Sequence, residues 1–211
     1  MGGRLFIAGT RTFSAEVIDF ARDGGWEVEA LLEPFDEERP GTRIHGLPVH
    51  WLEDHEAPES AFAIVGTGEP RRRPVVARLR ERGWPLATLV HPTAHLAPTS
   101  EVGEGCIVGP LVVIGAKSLL GANVVAGRGA LIGHHTTIED FATLGPGANV
   151  AGNTRLGPDS FLGMGATVRD HIEVGAGATV AMGAVVVDDV ADGLEVRGVP
   201  AKAWEPSATR L

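Results

Sequence analysis

From Leu96 to Val186 an aliphatic residue or alanine recurs at every sixth position: Leu96, Val102, Val108, Ile114, Leu120, Ala126, Ile132, Ile138, Leu144, Val150, Leu156, Leu162, Val168, Val174, Val180 and Val186. The residue that follows is usually glycine, and four positions after the aliphatic comes a small or β-branched residue (Ser100, Cys106, Val112, Ser118, Val124, Ala130, Thr136, Ala142). An α-helix, with its period of 3.6, cannot gather a six-residue stripe on one face, and so many glycines would melt it. A chain that turns a corner every six residues can gather it. Each hexad is then one short strand plus a corner, and three hexads close a triangular coil with the aliphatics stacked inside. The pattern predicts a parallel β-helix of hexapeptide repeats, roughly five coils of about 18 residues. Residues 18 apart in sequence then lie one above another, so the sequence can be read as a surface.

The preceding residues have other periods. Residues 4–9 read as a buried strand, and 14–25 as an amphipathic helix with Ser14 as N-cap and Gly24-Gly25 as its stop. Residues 27–32 and 61–65 read as further strands, 71–82 as a basic helix and 86–90 as a short last strand. Strand–helix–strand alternation predicts a small, Rossmann-like parallel α/β domain over 1–90, with the β-helix domain over 91–211. Segment 34–60 reads as mostly loop, with His45, His50 and His55 as surface residues rather than ligands. The first βα turn, Gly9-Thr10-Arg11-Thr12-Phe13-Ser14, leads into a helix N-terminus, where backbone N–H groups favour a phosphate. It keeps one of the three glycines of a dinucleotide fingerprint, so an ordinary turn is an equal reading.

Composition narrows the function classes. The formal net charge of −9, with Arg71-Arg72-Arg73 as the only basic cluster, argues against a nucleic-acid partner. Cys106 is the sole cysteine, excludes an intrachain disulfide and falls in an inward slot of its hexad. No apolar run approaches the 18 or so residues of a membrane span. The start Met1-Gly2-Gly3-Arg4 enters a strand with no signal-peptide pattern, so a cytoplasmic location is expected.

An N-terminal α/β segment, an uninterrupted hexapeptide β-helix, the closing run Gly198-Val199-Pro200-Ala201-Lys202 and the junction Leu89-Val90-His91-Pro92-Thr93-Ala94 together resemble the sugar acyltransferases of the PglD and NeuD type. The resemblance spans nearly the whole chain. It implies a left-handed β-helix, a homotrimer, and transfer of the acetyl group of acetyl-CoA to a nucleotide-linked amino sugar or a sialic acid, with no metal. Gly133-His134-His135-Thr136-Thr137-Ile138-Glu139-Asp140-Phe141 is similar to the family's catalytic stretch and places His134 at the general base, a role imidazole suits near neutral pH. The family's acid directly after the base is here His135, and its second histidine nine residues on is here Thr143; Glu139, Asp140 or a backbone carbonyl are other ways to orient the base. One coil beyond His134 lies Gly152, which the resemblance makes the oxyanion-stabilising backbone donor. Gly163, Met164 and Gly165, with Met182 one coil above Met164, are candidates for a pantetheine groove between subunits, and Arg169, Arg197 and Lys202 for coenzyme A phosphates. For the nucleotide sugar the candidates are Gly9, Thr10, Arg11, Thr12, Phe13, Glu33 and Gly66.

Three other functions compete. O-acetylation of a sugar hydroxyl uses the same machinery. A scaffold that has lost its chemistry is favoured by the missing acid after His134. A zinc enzyme like the γ-class carbonic anhydrases would use the stacked His135 and His171, but its third ligand position is Ala176, and two histidines do not hold a catalytic zinc.

Overall fold

The computed structural model describes residues 2–68 and 72–204; Met1 and Arg71 lie outside them. The chain divides into two compact units, Met1–Pro92 and Thr93–Leu211.

The first unit follows the predicted alternation: β1 (Arg4–Ala8), α1 (Thr12–Asp23), β2 (Glu27–Glu33), β3 (Arg43–Ile44), β4 (Leu47–Trp51), β5 (Ala61–Val65) and α2 (Arg72–Glu81). The sheet order is β3-β4-β2-β1-β5, parallel except for the β3–β4 pair. Strand β1, Leu5 to Ala8 almost wholly buried, forms its spine between β2 and β5. One expectation is corrected. Ser14 does not cap α1: the helix begins at Thr12 with Arg11 as N-cap, and the buried Ser14 hydroxyl donates back to the Arg11 carbonyl at 2.6 Å. Segment 34–60 is loop over most of its length, as expected, but Leu47–Trp51 within it adds a parallel strand beside β2. Its Val49 is buried, and a 3-10 turn at Leu52–Asp54 seats the fully buried Leu52.

Two of the histidines there belong to packing rather than surface. The His50 and His55 rings stack with centroids 4.5 Å apart, and His55 also lies against Phe6 at 5.4 Å. Burial is the main cause that holds His55 below the ordinary histidine pKa; His50 adds to the effect and Glu29 opposes it. An unfolded chain would take up this proton near pH 6.5 while the folded chain resists it, so His55 stabilises the fold above that pH and less as pH falls through it. We predict that the melting temperature falls between pH 7.5 and 5.5, and falls less in His55→Phe. Equal slopes would show that His55 is not a source of the pH dependence.

The second unit is the β-helix. Two-residue strands repeat every six residues from His95–Leu96 to Val185–Val186. They form three faces, one beginning at His95–Leu96, one at Glu101–Val102 and one running through Ile107–Val108 and Val125–Ala126. Rungs pair with the residue 18 further on, as Ile114↔Ile132 and Ile138↔Leu156 show, until the last coil, where Val174↔Val190 and Val180↔Val196 are 16 apart. Backbone bonds tie each coil to the next, among them Gly133 N to Val150 O at 2.8 Å. Inside, Ile114, Leu120, Ile138, Leu144, Leu156 and Leu162 are fully buried in one continuous core. Cys106 sits in that core, its Sγ donating to the Gly121 carbonyl at 3.0 Å. Strand Glu195–Arg197 continues the third face and Lys202–Ala203 closes it antiparallel. A two-residue strand has no stability of its own; it is held by the coil above and the coil below. Leu156→Ala is therefore expected to cost about 2–5 kcal/mol by urea unfolding, whereas a cost under about 1 kcal/mol would mean that the slot is not close-packed.

Candidate active site

The three corners of the β-helix differ in composition, and the differences mark the site. Each corner needs one residue per coil in the left-handed region. Between the first face and the second, that place is filled by Lys117, His135, Asn153 and His171, all near φ +56. Between the third face and the first, glycine takes it in four coils: Gly129, Gly147, Gly165 and Gly183. The left-handed region is unfavourable for a residue with a side chain, less so for Asn and His. The His135 corner keeps side chains where glycine would serve the backbone.

Beneath that corner lies a ladder of buried hydroxyls. Ser118 donates to the Gly133 carbonyl at 2.6 Å and accepts from Thr136 N–H at 3.1 Å. The Thr136 hydroxyl donates to Ala151 O at 3.1 Å, and Thr154 to Arg169 O at 3.3 Å. These residues are 1 % exposed or less. They satisfy corner carbonyls from inside and so fix the backbone on which the outward residues stand. The sequence shows them as an 18-residue hydroxyl spacing, a signal that the aliphatic repeat overshadows.

On this rigid corner His134 points outward with its imidazole over Gly152 of the next coil. A Cβ on Gly152 would stand 2.7 Å from His134 Cε1 and 2.9 Å from Nε2, so any side chain there displaces the ring. The Gly152 N–H makes no hydrogen bond among the described residues, while its carbonyl accepts from His171 N–H at 3.2 Å. The other side of the imidazole meets His135, with Nδ1 to Nδ1 at 3.0 Å and the rings nearly perpendicular at 87°. The remaining orienting candidates are engaged elsewhere. Glu139 is in an ion pair with Arg155, 2.6 Å away, and Asp140 accepts from Ala122 N–H at 2.8 Å. Thr143 lies on the third face, one rung below Phe161.

Gly163, Met164 and Met182 line a cavity of about 590 Å³ on the glycine corner, with Phe161, Ala181, Glu195, Arg197 and Gly198. Its rim is apolar and open: Met164 is 52 % exposed and Met182 71 %. Arg197 lies 3.6 Å above the Trp204 ring and is paired with Glu195. Phe161 and Trp204 were not singled out from sequence, since an outward aromatic in a hexad carries no periodic signal. Gly165 turns the corner beside the cavity without lining it. Arg169 stands on the His134 corner, and exposed Lys202 is 3.9 Å from Asp188. The His134 and Met164 sets thus occupy different edges of one prism.

In the first unit a second cavity, about 220 Å³, opens at the carboxyl ends of β2, β1 and β5 and is lined by Thr10, Arg11, Phe13, Glu33, Phe35, Gly66, Thr67 and Gly68. The chain leaves β1 toward β2 on one side and returns as β5 on the other, a switch point at which open parallel sheets hold ligands. Gly9, at φ +135, lets the turn pass Thr67, since a Cβ would stand 2.7 Å from the Thr67 methyl. Glu33 is 2 % exposed, yet its carboxylate is fully engaged: it accepts from the Thr10 hydroxyl, from Phe35 N–H at 2.7 Å and from Asp36 N–H at 3.1 Å. Arg39 donates to the Thr10 hydroxyl at 2.9 Å and to Asp36, whose carboxyl it holds below the usual carboxylate pKa. Thr67, 5 % exposed, has no hydrogen-bond partner for its hydroxyl among the described residues. Of the predicted residues, Gly9 and the exposed Thr12 support the turn but do not line the cavity; Phe35, Thr67 and Gly68 join it unannounced. Among the described residues, no helix is long and apolar enough to cross a membrane.

No protein-family model matches the chain, and no curated protein sequence does. Solved structures do. A perosamine N-acetyltransferase from Caulobacter crescentus, in complex with CoA and GDP-perosamine and carrying a histidine-to-asparagine substitution, is 30 % identical over 98 % of both chains with a TM-score of 0.87. The acetyltransferase domain of PglB from Neisseria gonorrhoeae FA1090, in complex with acetyl coenzyme A, is 32 % identical over 97 % of this chain and 100 % of that one, again with a TM-score of 0.87. WeeI from Acinetobacter baumannii AYE, at 24 % identity over 96 % of this chain and 100 % of that one and a TM-score of 0.86, shares the fold. The β-helix of stacked hexads, the α/β unit before it and these whole-length matches place the chain in the family of acyl-CoA-dependent sugar N-acetyltransferases with a left-handed, hexapeptide-repeat β-helix.

Proposed function

We propose that the chain transfers the acetyl group of acetyl-CoA to the amine of a nucleotide-linked amino sugar, with His134 as general base at an interface between subunits of a homotrimer. The observation that carries this reading is the His134 imidazole lying directly over Gly152. The amine nitrogen attacks the thioester carbonyl carbon and its proton passes to His134 Nε2. The carbonyl oxygen gains negative charge and is stabilised by the Gly152 N–H, one backbone donor of the kind whose removal costs on the order of a hundredfold or more. Collapse forms the amide, breaks the C–S bond and returns the proton from Nε2 to the departing thiolate.

The apolar cavity around Gly163, Met164 and Met182 suits the pantetheine arm, and Arg197, Arg169 and Lys202 are the cations available to its phosphates. Because this cavity and His134 lie on different edges of one prism, a site that uses both takes them from two subunits. A closed ring in which the His134 edge of each copy meets the Met164 edge of the next satisfies every copy alike. Val113 and Leu131, outward and about two-fifths exposed on the face between those edges, give such contacts apolar area. In the first unit, the cavity at the strand ends, with the Thr67 hydroxyl unpaired among the described residues and Arg11 in its lining, suits the nucleotide diphosphate of the acceptor.

His134→Ala is expected to lower turnover about 10²–10⁴-fold with coenzyme A binding kept. Met164→Arg should block the cavity instead. Coexpressed, the two inactive chains should recover activity in mixed trimers, where some sites draw an intact edge from each chain. No recovery, with mixed trimers demonstrated by mass, would place both halves of the site in one subunit.

A further inference from the structure

We infer that His135 is a positioning residue that holds His134 in the Nδ1–H tautomer, leaving Nε2 as the acceptor of the substrate proton. The inference rests on His134 being the base. Two neutral imidazoles that meet Nδ1 to Nδ1 at 3.0 Å share one hydrogen, so one ring donates and the other accepts. If His134 donates, its Nε2 carries a lone pair and can take a proton; if His135 donates, His134 must carry its hydrogen on Nε2 and cannot act as a base there. The contact therefore decides whether the site works, and His135 is the only one of the orienting candidates that makes it: Glu139 is paired with Arg155 and Asp140 accepts from Ala122.

The backbone supports a role for the side chain. His135 sits at φ +55, where glycine serves four times on a neighbouring corner. Its N–H is bonded to Ala116 O at 2.9 Å and its turn is braced by Thr136. Nothing in the turn itself requires an imidazole. The charged and titratable groups stacked around the pair on this corner are Lys117 one coil below, Arg169, Asp170 and His171 above, and the Glu139–Arg155 ion pair on the adjoining face. Among the described residues none of them touches the His134 ring, so its orienting partner is the His135 imidazole and not a carboxylate.

The test uses the full chain and reads the tautomer and the rate separately. In ¹⁵N imidazole spectra at a pH where histidines are neutral, His134 should show a protonated Nδ1 and an unprotonated Nε2, and should gain Nε2–H tautomer in His135→Gly. That variant relieves a left-handed residue, so its melting temperature should hold or rise, while kcat/KM falls roughly ten- to hundredfold, part of what a positioned base contributes. His135→Asn places an amide oxygen where Nδ1 stood and tolerates the same φ, so it should restore both the tautomer and most of the rate. His135→Asp adds a charge that favours the imidazolium and should move the acidic limb of kcat/KM up by about one pH unit or more. An unchanged His134 tautomer in His135→Gly, or a rate loss matched by a fall in melting temperature, would overturn the inference. Full turnover in His134→Ala would instead remove the base assignment, whatever the spectra show.

Discussion

Everything in the second unit depends on parallel stacking at an 18-residue interval. A two-residue strand cannot hold itself; what holds it is a hydrogen-bonded rung above, another below, and an aliphatic side chain sealed between its counterparts. The interval is set by the inward column from Ile114 to Val186 and by corner residues that accept a left-handed turn. Once the interval is fixed, so is the outside of the prism. His134 lies over Gly152 because the core residues beneath them, Ile132 and Val150, are partners in the ladder. A one-residue slip would turn every outward side chain inward, so the site's geometry inherits the strength of the whole core.

The same logic separates scaffold from chemistry. The core column is uniform along the prism, while the corners are not. One is lined by glycines and carries an apolar cavity; another keeps histidines and asparagine and is braced by Ser118, Thr136 and Thr154 from within. Buried hydroxyls in an otherwise aliphatic core cost free energy unless satisfied, and each of these is satisfied by a carbonyl of the corner that carries His134. Rigidity is thereby concentrated where the proposed mechanism transfers a proton.

How much of this was legible in the sequence follows from how each part is encoded. The β-helix was readable because its information is periodic and local: Leu96 to Val186 announce the rungs, and the 18-residue rule brought His134 and Gly152 together on paper. The cavity residues Gly163, Met164 and Met182 were found by the same rule. The first unit was readable only as far as its apolar runs. Strand Leu47–Trp51 alternates through Leu47, Val49 and Trp51 but was hidden because Pro48 argues against a strand, and it forms beside the edge that β2 offers. The buried network of Glu33, Thr10 and Arg39 joins residues 23 and 29 apart and has no spacing to detect. Ser14 looked like a cap because it is the usual residue type, but the helix starts two residues earlier. The pairing of His134 with His135 depends on ring orientation, which adjacency in sequence does not fix.

The central claim is that a thioester is brought to His134 and Gly152 of one subunit by the glycine corner of another. A crystal structure of the protein with coenzyme A tests it most directly. The account predicts a trimer with the pantetheine arm along Gly163, Met164 and Met182 of one chain and its sulfur within about 4 Å of His134 of the neighbour, near attack distance for the bound thioester. Coenzyme A seated with both the arm and the sulfur against a single chain, or with the sulfur remote from every His134, would contradict it.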